Sequence, residues 1–203
     1  MTNIEELADI LVGNGMRSPE NVDGETQHNI ESSIGMLTIH YHREIKYFTL
    51  AITQENTPIG FYQFQKPMIC DVLNFPPENG SRRAFSSYAS DIYSKEYISK
   101  LGFELLDENM ALYILPSQRK RRLGSYLIML CFAVLNAERV KWNAASDSPL
   151  HMLLRVVDEN VLPFYEKLGF RIEQDARPSD PEFKKTWSAE YHIPPSQIKD
   201  VGI

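Results

Sequence analysis

From Tyr126 to Leu135 the chain reads Tyr-Leu-Ile-Met-Leu-Cys-Phe-Ala-Val-Leu, without a charge, a glycine or a proline. Extended from Gly124 to about Glu138, this stretch predicts a helix that is apolar nearly all round, and such a helix must be covered on every side. Regular elements flank it in sequence. Asn109 to Leu115 predicts a strong strand that stops at Pro116, and Leu150 to Val157 predicts a second, buried strand. Glu159 to Leu168 predicts a short helix closed by Gly169, the usual C-terminal stop. Phe170 to Glu173 returns as a strand, and Trp187 to His192 is a candidate last one. Strand, helix, strand, helix, strand is an α/β order with at least one crossover.

The first half is less regular. Ile4 to Leu11 has apolar residues at helical spacing and an acidic first turn, with Gly13 and Gly15 as stops. Ser18 to Asn29 is polar and reads as loop. Met36 to His42, Tyr47 to Ile52 and Ile59 to Phe64 read as strands, with a turn at Glu55 to Pro58. Lys66 to about Ser90 carries Pro67, Pro76, Pro77 and Gly80 and has no sustained period. It is expected to be a functional loop or a disordered insert, since structureless segments of that length are uncommon inside a domain. Tyr93 to Leu101 is a candidate short helix.

Composition narrows the class. Lys and Arg number 21 and Asp and Glu 27, for a formal charge of −6, which disfavours a general nucleic-acid binder. The two cysteines, Cys70 and Cys131, form no C-x-x-C pair, so a disulfide framework is not expected. No secretory pattern opens the chain and no apolar run reaches the ~18 residues of a membrane span. The expected setting is the cytoplasm, or the nucleus of a eukaryotic cell, with no membrane partner.

Against that acidic background, Arg119-Lys120-Arg121-Arg122 is the only dense positive run, and it joins a strand end to a helix start. Helix N-termini present free N–H groups and a partial positive charge, so added cations there suit a phosphorylated ligand. A solvated basic turn and a short nuclear-import patch are the alternatives at this point.

Leu112-Tyr113-Ile114-Leu115-Pro116-Ser117-Gln118-Arg119-Lys120-Arg121-Arg122-Leu123-Gly124-Ser125 resembles the acyl-CoA loop of the GNAT N-acyltransferase superfamily, R-x-x-G-x-G/A. Leu162-Pro163-Phe164-Tyr165-Glu166-Lys167-Leu168-Gly169-Phe170 resembles that superfamily's F-Y-x-x-x-G-F motif, and its Pro-Phe-Tyr opening is similar to arylalkylamine N-acetyltransferases. The resemblance covers roughly residues 106–173. It implies an α/β (α+β) fold with a mixed central sheet flanked by helices and an inserted loop region before the central strand. The chain is then one domain, 1–203, with a helical and loop extension at 1–35, an insertion at 66–103 and the acyl-CoA core at 106–173.

The resemblance also implies the chemistry. Acetyl-CoA would be the co-substrate, and an amine of a small molecule or a protein the acceptor. Contacts to CoA would come from Leu112, Tyr113, Ile114, Arg119, Lys120, Arg121, Arg122, Leu123, Gly124, Ser125 and Asn160. Arg122 stands where the pattern has its first glycine, and Asp158 where it has an asparagine. Glu108 matches the glutamate that serves as base in histone-acetylating members, with Asp107 and Glu104 as substitutes. A backbone N–H near Tyr113 or Ile114 would hold the oxyanion, and Tyr165 would protonate the departing thiolate. A homodimer stays open as the oligomer. The same resemblance admits a catalytically weak or inactive GNAT-like regulatory or interaction module.

Other candidates are weaker. His40 and His42 alternate on one strand but lack a third ligand nearby in sequence, so no metal site is expected. His151 reads as a core histidine and Cys131 as a small buried hydrophobe.

Overall fold

The structure, a computed structural model, describes residues 3–14, 24–44, 46–65, 68–72, 82–89, 94–104, 111–141, 150–175 and 185–193. The first element, α1 (Ile4–Asn14), begins where the Asn3 side chain accepts a bond from the Glu6 N–H at 2.8 Å. Its Ile4, Leu7, Ala8 and Leu11 are buried, while Glu5, Glu6 and Asp9 face water. The helix runs through Gly13, which therefore does not act as a stop.

Two five-stranded sheets follow among the described residues. The first has the order β1-β2-β3-β4-β7 and is antiparallel throughout, formed by β1 (Gly24–Ser32), β2 (Gly35–Arg43), β3 (Tyr47–Gln54), β4 (Thr57–Gln65) and β7 (Leu112–Ile114). The β3–β4 hairpin turns through Glu55 (φ 50) and Asn56 (φ 64), a pair of left-handed residues as a tight two-residue hairpin demands. The second has the order β5-β6-β8-β10-β9, formed by β5 (Met68–Val72), β6 (Arg82–Ala89), β8 (Leu150–Val156), β10 (Trp187–Ile193) and β9 (Arg171–Gln174). Its β6 and β8 are parallel and its other pairs antiparallel.

Helix α3 (Leu123–Lys141) is the common support. It packs on α1 and against β3, β4 and β7 of the first sheet and β8 of the second. Every residue from Tyr126 to Leu135 is buried, as a helix apolar on all sides requires. The resulting core joins Leu37, Ile39, Phe48, Leu50 and Phe64 to Met152, Leu154 and Val156 around Phe132. On the opposite face of the first sheet, α2 (Lys95–Lys100) covers a smaller cluster of Ala51, Phe61, Ile98, Phe103 and Tyr113. Among the described residues the last helix, α4 (Leu162–Leu168), follows a 3-10 turn at Glu159–Val161.

The mixed α/β architecture agrees with the sequence, and two local expectations do not. Ser18 to Asn29 is not all loop: Gly24 onward is the edge strand β1, paired along its whole length with β2. Residues 1–35 are accordingly more than a helical and loop extension. Lys66 to Ser90 is not structureless either, because β5 and β6 form an antiparallel pair within it. The reason is shared: both stretches gain their order from backbone pairing with neighbouring strands, which a missing apolar period does not prevent. No described helix is long and apolar enough to cross a membrane.

Candidate active site

The site starts from a strand three residues long. β7 pairs with β4 through Gly60–Ile114, Phe61–Tyr113 and Tyr62–Leu112. Two further bonds extend the pairing, Gln63 N–H to Ala111 O at 2.8 Å and Leu115 N–H to Ile59 O at 2.9 Å. The approach depends on Gly60, where a Cβ would lie 2.4 Å from Ile114 Cδ1 and 2.8 Å from the Tyr113 carbonyl oxygen. A glycine inside a strand often marks such a backbone approach, which is the signal that could have drawn attention to this residue.

Past β7 the chain turns through a 3-10 turn, Pro116–Gln118, with Gln118 N–H donating to Leu115 O at 2.8 Å. The Arg119 Nε donates to Ile114 O at 3.1 Å and ties the loop back to the strand end. Lys120 (φ 66) and Arg122 (φ 62) are both left-handed. Arg122 therefore takes a backbone conformation that favours glycine and adds a guanidinium there. Arg119, Lys120, Arg121 and Arg122 line the loop, and among the described residues no carboxylate pairs with them.

The α3 ladder opens with Tyr126 N–H donating to Arg122 O at 2.9 Å. The N–H groups of Leu123, Gly124 and Ser125 thus precede the first intrahelical bond and face the loop, at the positive end of a 19-residue helix. Gly124 is where the two sequence motifs meet: its Cβ position is 3.4 Å from Phe164 Cζ and 3.8 Å from Ile114 Cγ1.

The second motif is explained residue by residue. Asp158 accepts bonds from the Asn160 backbone N–H and from the Asn160 side-chain amide, each at 2.9 Å. Asp158, not Asn160, is the cap of the turn, and it holds the Asn160 amide in place. Pro163 falls in the first turn of α4, where a missing N–H costs nothing. Gly169 (φ 94) ends the helix with Gly169 N–H to Glu166 O at 2.9 Å and Phe170 N–H to Tyr165 O at 3.1 Å. A side chain at Gly169 would also meet Tyr191 Cε2 at 3.1 Å.

These constraints hold Tyr165 between aromatic rings. Phe164 and Phe170 stand edge-on to it with centroids 5.1 Å and 5.4 Å away. Phe170 in turn rests on Tyr191, which Phe132 of α3 covers. Tyr165 is 9% exposed, and burial pushes its phenol up to about 12. The ring is held by packing, and the hydroxyl stays protonated at neutral pH.

Glu108 and Asp107 lie outside the described residues; Glu104 is exposed beyond the end of α2. His40 and His42 sit on the α2 face of the first sheet, engaged with Thr53, Glu25, Glu44 and Tyr97. His151 is buried on β8, and Cys131 is buried on α3 with its thiol pushed well up by burial. Sequence reading did not single out Gly60, nor the buried contacts of Arg43 with Glu138.

Arg122 sets up a controlled pair of substitutions. A left-handed residue with a Cβ costs about 1–2 kcal/mol, and a glycine gives back about 0.5–1 kcal/mol of that through the extra freedom of the unfolded chain. Arg122→Gly should therefore raise unfolding free energy by about 0.5 kcal/mol, while Arg122→Ala, with the same strain, should leave it unchanged. Denaturant unfolding of the two variants checks this.

No family model matches the chain, and no curated protein matches it. Solved structures do resemble it. An acetyltransferase from Thermus thermophilus is 12% identical over 73% of this chain and 65% of that one, with a TM-score of 0.35. A protein from Desulfovibrio desulfuricans described as a putative acetyltransferase of the GNAT family is 13% identical over 74% and 70%, with a TM-score of 0.38. Arabidopsis thaliana Naa50, in complex with the bisubstrate analogue CoA-Ac-MVNAL, is 18% identical over 70% and 71%, with a TM-score of 0.35. The match spans just under two thirds of the Thermus protein. At such identities and scores these likenesses lend no weight to a substrate or an activity.

Proposed function

We propose that the chain is an acyl-CoA-dependent N-acyltransferase of the GNAT kind, moving an acetyl or other acyl group to a primary amine of a small molecule or protein. The observation that carries the reading is the approach of Phe164 to Gly124, where an added Cβ would lie 3.4 Å from Phe164 Cζ, which brings the basic start of α3 beside the helix turn bearing Tyr165. The N–H groups of Leu123, Gly124 and Ser125, with Arg119, Lys120, Arg121 and Arg122, would hold the CoA phosphates. Leu112, Tyr113 and Ile114 would lie along the pantetheine arm, with a β7 N–H as the donor to the oxyanion. Asn160 is the further CoA contact in this reading, through whatever its bond to Asp158 leaves free.

In the reaction the amine must first lose a proton, since an alkylammonium of pKa ~10.4 has no lone pair to attack with. Glu108 is the base in this reading. The amine nitrogen bonds to the thioester carbon, the C–S bond breaks with its electron pair on sulphur, and Tyr165 serves the sulphur as hydrogen-bond and proton donor. The acidic balance of the chain suits a cationic acceptor such as a polyamine, an aminoglycoside or a protein lysine.

Thermal unfolding with acetyl-CoA tests the binding step. At a hundredfold the dissociation constant the ligand should add about 2.7 kcal/mol, with a clear rise in Tm. A melting curve unmoved by saturating acetyl-CoA and by CoA would overturn the reading. Arg122→Gly and Arg122→Ala should each weaken acetyl-CoA by roughly tenfold, the loss of one charge-assisted phosphate contact. Wild-type affinity in both would remove the guanidinium from the phosphate site.

A second reading has its own observation: Asp158 occupies the Asn160 amide that would otherwise be free for CoA. A GNAT-like module that binds a protein partner and no acyl-CoA would fit it. The melting experiment separates the two.

A further inference from the structure

The α2 helix is too short to stand alone. It has six residues and no side-chain cap at Ser94, so it forms only because the first sheet holds it. Two of its polar contacts converge on one carboxylate, that of Glu25 on β1. Glu25 Oε1 accepts from the Tyr97 hydroxyl at 3.0 Å, and Oε2 lies 3.4 Å from Lys100 Nζ. The same carboxylate accepts from Gln27 Nε2 at 2.9 Å and lies 3.5 Å from His40 Nδ1. His40 Nε2 is 2.9 Å from Thr53 Oγ1 of β3. Because a carboxylate only accepts, the proton of the neutral ring sits on Nδ1, and Nε2 accepts from Thr53. The ring of Tyr97 also stacks on His42 at 3.9 Å and 10°, and His42 Nε2 is 3.3 Å from Glu44. On its apolar side α2 puts Ile98 into the cluster that holds Phe103 and, on β7, Tyr113.

We propose that α2 is an acid-released latch over β7, fastened to the first sheet through the Glu25 carboxylate that His40 braces, and opening ahead of the rest of the fold. His40 itself meets Glu25 of β1 and Thr53 of β3; Gln27 of β1 and Tyr97 and Lys100 of α2 reach the same Glu25 carboxylate, and His42 and Glu44 follow His40 along the chain. Burial holds the His40 ring below its ordinary value, and the bond and charge of Glu25 recover only part of this. Opening returns the ring to water, where it titrates near 6.5, so the open form binds more protons below about pH 6.5 and acid favours opening. Glu25 acts in the same direction at lower pH. Burial raises its carboxyl, but the bonds from Gln27, Tyr97 and His40 and the charge of Lys100 more than offset that, and the net value is lowered. The latch is independent of the proposed function. Only its effect on acyl transfer, through β7, rests on that reading.

Hydrogen exchange on the ligand-free chain tests it at pH 7.5 and pH 5.0, with rates corrected for intrinsic pH dependence. The amides of Ile98 and Leu101, bonded to Ser94 O and Tyr97 O, should open at least about threefold more at pH 5.0, with α3 unchanged. His40→Gln should abolish that gain, and Tyr97→Phe should raise α2 opening already at pH 7.5. Exchange that is unchanged in α2, that rises equally in α3, or that persists in His40→Gln would overturn the proposal. The wild-type measurement decides even if a variant does not fold.

Discussion

Tyr165→Phe should lower the turnover of acetyl-CoA by about a hundredfold while leaving its affinity within about twofold, the signature of a group used in the transition state and not in binding. The substitution removes one oxygen and keeps the ring, so the packing against Phe164 and Phe170 survives. Magnitudes decide what the hydroxyl does. A phenol near 12 facing a thiolate of ordinary pKa ~8.5 would donate its proton outright only at a cost of about 5 kcal/mol. In the proposed reaction its first service would then be a hydrogen bond to the developing charge on sulphur. A departing thiolate enclosed in the same dry surroundings is raised too, which narrows the gap and lets the proton follow. Steady-state kinetics and calorimetric binding of acetyl-CoA check both halves. Turnover in Tyr165→Phe equal to that of the unaltered chain from pH 6 to 9 would remove Tyr165 from the chemistry.

What made this site readable in the sequence was redundancy of local signals. The residues from Tyr126 to Leu135 read as a buried helix, and two of the strands that help cover it, β7 and β8, were legible on either side of it. In Leu162 to Phe170 nearly every position has a local reason, from Pro163 in the first turn to Gly169 in the left-handed stop. The basic run was visible, but its conformation was not. Charge alone does not say that Lys120 and Arg122 both take positive φ, because an arginine gives no local hint of a glycine's backbone. The first half fails for the opposite reason. Glu25, Gln27 and Asn29 on β1 are polar because an edge strand buries little, and pairing with β2 is a tertiary fact. The Glu25–Tyr97 bond spans 72 residues and Tyr41–Glu138 spans 97, so no window of sequence contains either.

Glu138→Ala should be the most damaging single change outside the site, with a loss of about 3–5 kcal/mol. Glu138 is 1% exposed on the second half of α3, and its Oε1 accepts from the Tyr41 hydroxyl at 2.9 Å. Its Oε2 lies 3.6 Å from a guanidinium nitrogen of Arg43, itself 2% exposed and placed over the Phe48 ring at 5.5 Å. Burial, with the carboxylate beside it, drives the Tyr41 phenol well above its usual range, so Tyr41 is a donor at every accessible pH. Truncation takes a countercharge from a sealed cation and an acceptor from a sealed hydroxyl, and opens a cavity besides. At roughly 2–4 °C per kcal/mol for a chain of this size, Tm should fall by about 10 °C. The loss measures the broken pair and not its net worth, because bringing two charges out of water offsets most of what their attraction returns. The combined replacement Tyr41→Phe, Arg43→Met, Glu138→Leu should therefore recover most of the stability, although it removes more polar contacts than the single change. Denaturant unfolding of the single and triple variants distinguishes the cases. A single-variant loss below about 1 kcal/mol, or a triple variant no more stable than the single, would mean that α3 is held against β2 by apolar packing alone and that the pair is incidental.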